Sequence, residues 1–272
     1  FITLAFCLII GVPVGFSIGI SCMVFLFSNG YPPMSILVQR MVGGAQSFTL
    51  MALPMFVFAG AVMAYGSTPR LMRLANMLLG RMPGGLGAAA MATCGFFGAV
   101  SGSGVASTAA VGGIMGPEMV KQGYAKGITA GLLAAGGAMA SIIPPSIVMV
   151  VYSASAGVSI GDMFLSGFGP GILTIGSLIA LNSVLAKKRG TVNTNHSYTR
   201  KERLHIWIDA LLPLVTPVII IGGVLSGTLT ATEASVVAVV YALFLAVFIY
   251  KELDFKKFVT VAYESVISSA II

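Results

Sequence analysis

The sequence predicts an all-α integral membrane protein, on three observations. Of its 272 residues, 57% are hydrophobic and only 8% charged, whereas a soluble domain carries about 25% charged residues. Several charge-free runs reach the roughly 20 residues that cross a bilayer as a helix. The basic residues, which give a net charge of +7, fall between the apolar runs. That is the pattern of membrane topology and not of a nucleic-acid-binding face.

Residues 2–28 form the first expected span, with Pro13 as a kink inside it. Residues 29–46, with the run YPPMSILVQRMVGGAQ, read as a loop leading into a short amphipathic helix. A second span covers 47–66, kinked at Pro54, and a segment bearing Arg70, Arg73 and Arg81 follows at 67–83. Residues 84–120 are apolar but interrupted by Ser101-Gly102-Ser103-Gly104. After Lys121 and Lys126, the apolar run 127–157 is interrupted in turn by IIPPS. Residues 163–186 are another span, bent near its start by Gly169-Pro170-Gly171. The polar stretch 187–205 holds both histidines, His196 and His205, which receive no role. Spans at 206–226 and 232–250 come next, and KELDFKK leads into one more apolar stretch. The chain opens on Phe1 inside an apolar run, without a start methionine, so a trimmed N-terminus is expected. Cys7, Cys22 and Cys94 sit in apolar runs without metal-ligand spacing and read as small buried hydrophobes.

Orientation follows from the Lys and Arg count. With the N-terminus in the cytoplasm, one crossing per span and 84–120 returning to its own side, the cytoplasmic segments are 67–83, 121–126, 187–205 and 251–257. They hold 3, 2, 6 and 3 basic residues, 14 of the 15 in the chain, with Arg40 the exception. This satisfies the positive-inside rule, and the reverse orientation violates it. Parity alone does not distinguish a returning hairpin from two crossings. Length does: each arm, 84–100 and 105–120, is about 25 Å long as a helix, short of a ~30 Å hydrocarbon core. The arms are also rich in glycine, which suits close packing against protein. A re-entrant hairpin is therefore expected over 84–120, followed by a broken helix over 127–157.

The stretches GVPVGFSIGISCMVFLF (11–27) and GTLTATEASVVAVVYALF (227–244) echo each other, each leading from a glycine into an apolar span. They cross in opposite directions, which is the relation of an inverted repeat and the usual architecture of secondary transporters. The second copy is incomplete in this chain. The expected organisation is scaffold helices over 1–83, a mobile part over 84–186, a cytoplasmic loop over 187–205, and further scaffold with the start of the second repeat over 206–272.

The chemistry concentrates at the two interruptions. Pro144 and Pro145 lack the N–H groups that would bond the carbonyls of Ala140 and Ser141, and proline disfavours the helical region for the residue before it. The helix must break at membrane depth, which is tolerable only where the backbone is buried in protein or lines a cavity. The released carbonyls and the hydroxyls of Ser141 and Ser146 can bind a small hard cation through oxygen. The helix that restarts after Pro145 offers N–H groups and a positive dipole end to an anion. The hairpin tip has similar equipment: Gly102 and Gly104 for the turn, and the hydroxyls of Ser101, Ser103, Ser107 and Thr108. The competing readings are a proline kink that only shapes the helix, and small residues that only pack helices. No ionisable side chain lies near the middle of any span, which favours Na⁺ held by neutral oxygens over proton coupling.

The stretches GGLGAAAMATCGFFGAVSGSGVASTAAVG and GYAKGITAGLLAAGGAMASIIPPSIVMVVYSASAGVSIGDMFLSGFGPG resemble the large membrane subunit of the tripartite ATP-independent periplasmic (TRAP) transporters, across essentially the whole chain. The resemblance implies an elevator mechanism in which a mobile domain of two hairpins and two broken helices slides against a scaffold. It implies as partners a small four-helix membrane subunit, separate or fused, and a periplasmic substrate-binding protein. It also implies uptake, coupled to co-transported Na⁺, of a carboxylate such as sialic acid or a C4-dicarboxylate, in the bacterial inner membrane. By position, Ser101, Gly102, Ser103, Gly104, Ala140, Ser141 and Pro144 are the candidate Na⁺-site residues. Ser107, Thr108, Pro145 and Ser146 are the candidate substrate-site residues. No transition metal or organic cofactor is expected. Two alternatives stand beside this reading: a related Na⁺:anion symporter without a binding protein, and, more remotely, an intramembrane serine protease using Ser101 or Ser103, which lacks a base at depth.

Overall fold

A computed structural model describes residues 1–30, 33–189 and 198–271. Residues 190–197 of the polar loop 187–205, His196 included, lie outside the described residues. Among the described residues all regular structure is helical, and the chain is an all-α membrane protein. It divides into two compact units, Phe1–Ser47 and Phe48–Ile272.

The first unit holds α1 (Ile2–Ile9), α2 (Val14–Asn29) and α3 (Met34–Ala45). The single span expected over 2–28 is two helices, a correction with a local cause. Pro13 supplies no N–H and disfavours helix for Val12, and Gly11 takes φ +87°. The chain therefore leaves the helix, where a lone proline would only have kinked it. The Ser17 hydroxyl closes the gap by donating to the carbonyls of Val12 (3.1 Å) and Pro13 (3.2 Å). At 16 residues, α2 is about 24 Å long.

The second unit begins with a short 3₁₀ turn, Phe48–Met51, and α4 (Ala52–Leu79). Pro54 does not kink α4, because it stands in the first turn, where its missing N–H has no intrahelical acceptor anyway. The break falls instead at Tyr65 (ψ 116°) and Gly66 (φ +86°). Pro69 is its cause: it cannot donate to Tyr65 O and its ring clashes there. Thr68 Oγ1 donates to Ala64 O at 3.1 Å, and Arg70 Nη1 donates to Gly66 O. The expected boundary at 66 is thus a kink, beyond which the helix resumes as far as Leu79.

Two helices, α5 (Gly85–Ser101) and α6 (Gly104–Lys121), form a tight hairpin, and α7 (Lys126–Ala140) and α8 (Ile147–Ala156) are the halves of one broken helix. α9 (Ile160–Arg189) runs helically through Pro170. α10 (Arg200–Leu225), α11 (Ala231–Phe244, extended by a π turn to Ile249) and α12 (Phe255–Ile271) complete the unit. α10 and α11 each open on a capping box, Thr199 with Glu202 and Thr230 with Glu233. Among the described residues four helices are long and apolar enough to cross a membrane: Ala52–Leu79, Ile160–Lys188, Arg200–Leu225 and Ala231–Ile249.

α5 lies at the centre of this unit. All but two of its residues are buried, and it packs on α4, α6, α7 and α9. Its sequence of Gly, Ala and small polar residues explains why: in an apolar surrounding, helix pairing relies on close van der Waals approach, which small residues permit. One core cluster, with Ala75, Leu86, Met115 and Leu133, joins the hairpin to α4 and α7. A second, with Phe56, Val150, Phe164 and Ile220, ties α8 to α4, α9 and α10. A third gathers Met63, Val100, Leu245 and Val261.

Candidate functional site

The hairpin turns in two residues. Gly102 caps α5 in the left-handed region (φ +66°) and donates to Gly98 O. Ser103 is the N-cap of α6 and accepts from Ala106 N at 3.2 Å. At the other end, Gly87 N donates to the Tyr124 hydroxyl at 3.3 Å and Asn182 Nδ2 donates to Gly84 O at 2.9 Å. These bonds close the base of the hairpin.

The tip and the break meet. Ile147 N, at the start of α8, donates to Gly102 O at 3.1 Å. The approach is close along its length: a Cβ on Gly102 would lie 2.9 Å from Pro145 O, one on Gly104 would overlap Ser141 Oγ and Gly137 O, and one on Gly137 would overlap Thr108 Oγ1. Residues about 40 positions apart in sequence thus share one locus. α7 rises about 22 Å from Lys126 to the break and α8 about 15 Å beyond it, so the locus is part-way along the combined length.

The break has its own internal chemistry. The carbonyls of Ala140 and Ser141 both lose their helical donors to proline, but only the first remains open. Ser146 Oγ donates to Ser141 O at 2.5 Å, whereas Ala140 O accepts no bond among the described residues. Ser146 occupies the N-cap of α8 yet makes no side-chain cap, because its hydroxyl is turned back onto Ser141. The first N–H groups of a helix have no intrahelical acceptor. Ile147 spends its own on Gly102, and the next ones stay uncapped.

At the tip, Ser107 Oγ donates to Ser103 O (2.7 Å) and lies 3.4 Å from Ser101 Oγ, which also accepts from Ser103 N (3.3 Å). Thr108 Oγ1 donates to Gly104 O (2.8 Å). Ser101, Ser107, Ala140, Pro144, Pro145 and Ser146 are buried, while Ser103, Gly104, Thr108 and Ser141 are half-buried. Ser101 and Ser107 are bonded to each other and to backbone, and among the described residues neither is hydrogen-bonded to a basic side chain that could activate it as a nucleophile. His205 pairs instead with Asp209, at 3.5 Å on α10.

A groove of about 540 Å³ opens beside this locus, lined by Gly102, Ser103, Gly104 and Ser141 and by Val151 and Tyr152 of α8. The α8 wall escaped the sequence reading. Val148, Val151, Tyr152 and Ser155 recur at helical spacing on one face, a pattern visible once a helix start at 147 is known. Gly98, one of the arm glycines expected to pack closely, and Gly137, which the sequence reading did not single out, admit the hairpin to α7.

Phe48, Ser153, Val224 and residues 157–161 and 229–232 line a cavity of about 460 Å³. Arg81, Glu118, Gln122 and Tyr198 surround another, and Arg70 pairs with Glu252 at 3.2 Å.

Comparison with known proteins points to one family. The family model described as "Tripartite ATP-independent periplasmic transporter, DctM component" matches residues 1–272. The chain is 38% identical to an isethionate TRAP transporter permease protein of Oleidesulfovibrio alaskensis, over 97% of this chain and 42% of that one. It is 33% identical to a C4-dicarboxylate TRAP transporter large permease protein of Rhodobacter capsulatus, over 96% and 63%. It is 35% identical to a sialic acid TRAP transporter large permease protein of Vibrio cholerae, over 96% and 61%. It therefore spans less than two thirds of the length of each of these relatives.

Proposed function

Because the chain belongs to the family of the DctM component of tripartite ATP-independent periplasmic transporters, we propose that it supplies half of the membrane path of a binding-protein-dependent secondary transporter, coupling entry of an organic anion to Na⁺. The family is one of transporters, not of enzymes. The uncapped start of α8, with Ser146 turned back to Ser141 at 2.5 Å, is the observation that carries the reading. It leaves N–H groups and a positive dipole end for a carboxylate beside a set of neutral oxygens suited to a hard cation.

In this reading Na⁺, a transported ion, is held by Ala140 O and by oxygens of Ser101, Ser103 and Ser141, with Gly102, Gly104 and Pro144 giving the backbone its shape. The substrate is met by the N-terminus of α8, with Pro145 and Ser146 behind it and Ser107 and Thr108 on the facing hairpin. The substrate class is an organic anion such as a C4-dicarboxylate or sialic acid, which the names of two relatives mention. The hairpin and the broken helix move together as an elevator, since the Ile147–Gly102 bond and the glycine contacts lock them to each other. A small four-helix membrane subunit enlarges the scaffold, and a periplasmic protein delivers the substrate. The assembly sits in the bacterial inner membrane among its lipids, with the N-terminus of this chain cytoplasmic and 84–120 entering from that side.

The test is uptake by the complete transporter in proteoliposomes with its cognate binding protein. Replacing Na⁺ by K⁺ is expected to abolish uptake, and omitting the binding protein is expected to do the same. Uptake that persists unchanged in K⁺ overturns the coupling. Uptake that persists without the binding protein overturns the tripartite reading.

A further inference from the structure

The Gly169-Pro170-Gly171 run of α9 has no part in the transport reading, and α9 runs helically through it. Gly169 carries no Cβ to clash with the proline ring, which eases a helical residue before Pro170. Gly169 and Pro170 are exposed, whereas Gly171 is buried. Gly167, also buried, stands one turn before Gly171, and Ile175 one turn after it, so the three share a face of α9. That face meets the break between α7 and α8.

Both glycines stand where the break has come too close for a side chain. A Cβ on Gly167 would overlap Met149 Cε and lie 2.9 Å from Ile142 O. One on Gly171 would lie 3.0 Å from Ile143 Cγ1. From the hairpin, a Cβ on Gly95 would overlap Ile175 Cδ1 and lie 3.2 Å from Ile143 Cδ1. Ile143 is therefore a wedge, packed against a glycine of α5 and a glycine of α9. The end of the Met149 side chain can swing aside, but Ile142 O is backbone and cannot. No hydrogen bond holds that carbonyl among the described residues. Ile142 and Ile143 lie between Ala140, whose carbonyl is open, and Ile147, whose N–H reaches Gly102 O. Pressure on the wedge thus reaches both ends of the break.

We propose that Gly167 and Gly171 are positioning residues. They seat Ile142 and Ile143 against α9 and so hold the break where Ile147 N meets the hairpin tip. A methyl at either glycine has no free space to enter, because close-packed interiors transmit such strain. The backbone at 142–143 must shift, and the oxygens beside it shift too. The consequence for ion binding rests on the Na⁺ reading of this locus; the seating of the break does not.

Amide hydrogen exchange at Ile147 and the Na⁺ dependence of uptake, both measured on the complete transporter, test this. Gly171→Ala is expected to speed exchange at Ile147 several-fold, since the displaced break loosens its bond to Gly102 O. It is also expected to raise the Na⁺ concentration for half-maximal uptake several-fold. Ile143→Ala, which unseats the wedge by removing atoms, is expected to do the same, and it keeps the test available if Gly171→Ala does not assemble. In Gly171→Ala/Ile143→Ala the lost Cγ1 makes room for the new methyl, so both quantities are expected to return toward wild type. Gly167→Ala/Met149→Ala is expected not to recover, because its methyl still meets Ile142 O. Gly176→Ala is the control on the same helix, as its Cβ would meet nothing within 4 Å. Wild-type exchange at Ile147 in Gly171→Ala and Ile143→Ala overturns the proposal. So does a double variant as impaired as the two single changes added together. Uptake indifferent to Na⁺ already in wild type overturns the Na⁺ reading alone, and the exchange rates still decide the seating of the break.

Discussion

Gly98 of the hairpin lies against Ala140, the last residue before the break, so closely that a Cβ on Gly98 would sit 2.6 Å from Ala140 Cα and 2.7 Å from Ala140 O. The open carbonyl of the broken helix is thus approached by hairpin backbone that carries no side chain. Gly98→Val is expected to force α5 and α7 apart, with an overpacking cost of about 1–3 kcal/mol and a loss of Na⁺ affinity. Gly112→Ala is its control, since the new methyl would lie 3.6 Å from Leu133 Cδ1, an ordinary contact. Thermal unfolding in detergent and the Na⁺ dependence of uptake read both effects.

Replacing Pro144 and Pro145 together by alanine restores two N–H donors. The expected outcome is a continuous α7–α8 helix with Ala140 O satisfied inside it. Apparent Na⁺ affinity is expected to fall about tenfold or more, equivalent to ~1.4 kcal/mol, while expression survives. Unchanged Na⁺ dependence would show that the break only shapes the helix.

Ser146→Ala removes the hydroxyl that donates to Ser141 O at 2.5 Å. A fully buried acceptor left unpaired costs about 1–3 kcal/mol and the half-buried Ser141 carbonyl less, so a modestly lower unfolding temperature is expected. Ser146→Thr keeps the hydroxyl and is expected to recover part of the loss. Substrate affinity separates the roles: with the α8 N-terminus as the anion site, both variants still bind substrate.

Arg70 donates to Gly66 O, pairs with Glu252 at 3.2 Å and stacks 3.8 Å from the Tyr250 ring centroid. Its side chain is 20% exposed and that of Glu252 44%. The ion pair by itself is therefore weak, at most about 1 kcal/mol and less in high salt. Arg70→Lys keeps the charge but loses the planar stack and the fork, and is expected to destabilise more than Glu252→Gln does. Unfolding temperatures at low and high salt give the ranking, and the reverse order would put the energy in the ion pair.

Much of this chain was legible in its sequence because the signals were local. Pro144-Pro145 dictates a break wherever the chain goes, since proline has no N–H to give. Ser101–Gly104, between two apolar arms, dictates a turn for the same kind of reason. The scarcity of charge dictates a membrane. Local rules failed where the same residue acts differently by position: Pro54 is harmless in a first turn, whereas Pro69, in a helix interior, opens α4 at Tyr65–Gly66.

What the sequence by itself determined was therefore which segments are apolar helices, where two of them are interrupted, and which side chains carry oxygen there. Only the tertiary structure decided that the interruptions meet, through Ile147 N and Gly102 O, and that Ser146 serves Ser141 and leaves its own helix uncapped. Only it decided that the groove is completed by α8 residues such as Val151 and Tyr152. The physical reason is that backbone breaks are set within a few residues by sterics and missing donors. The choice of partner for each freed group depends on which distant backbone can approach, and here that is set by glycines at helix contacts, such as Gly98 against Ala140, whose partners no local pattern reveals.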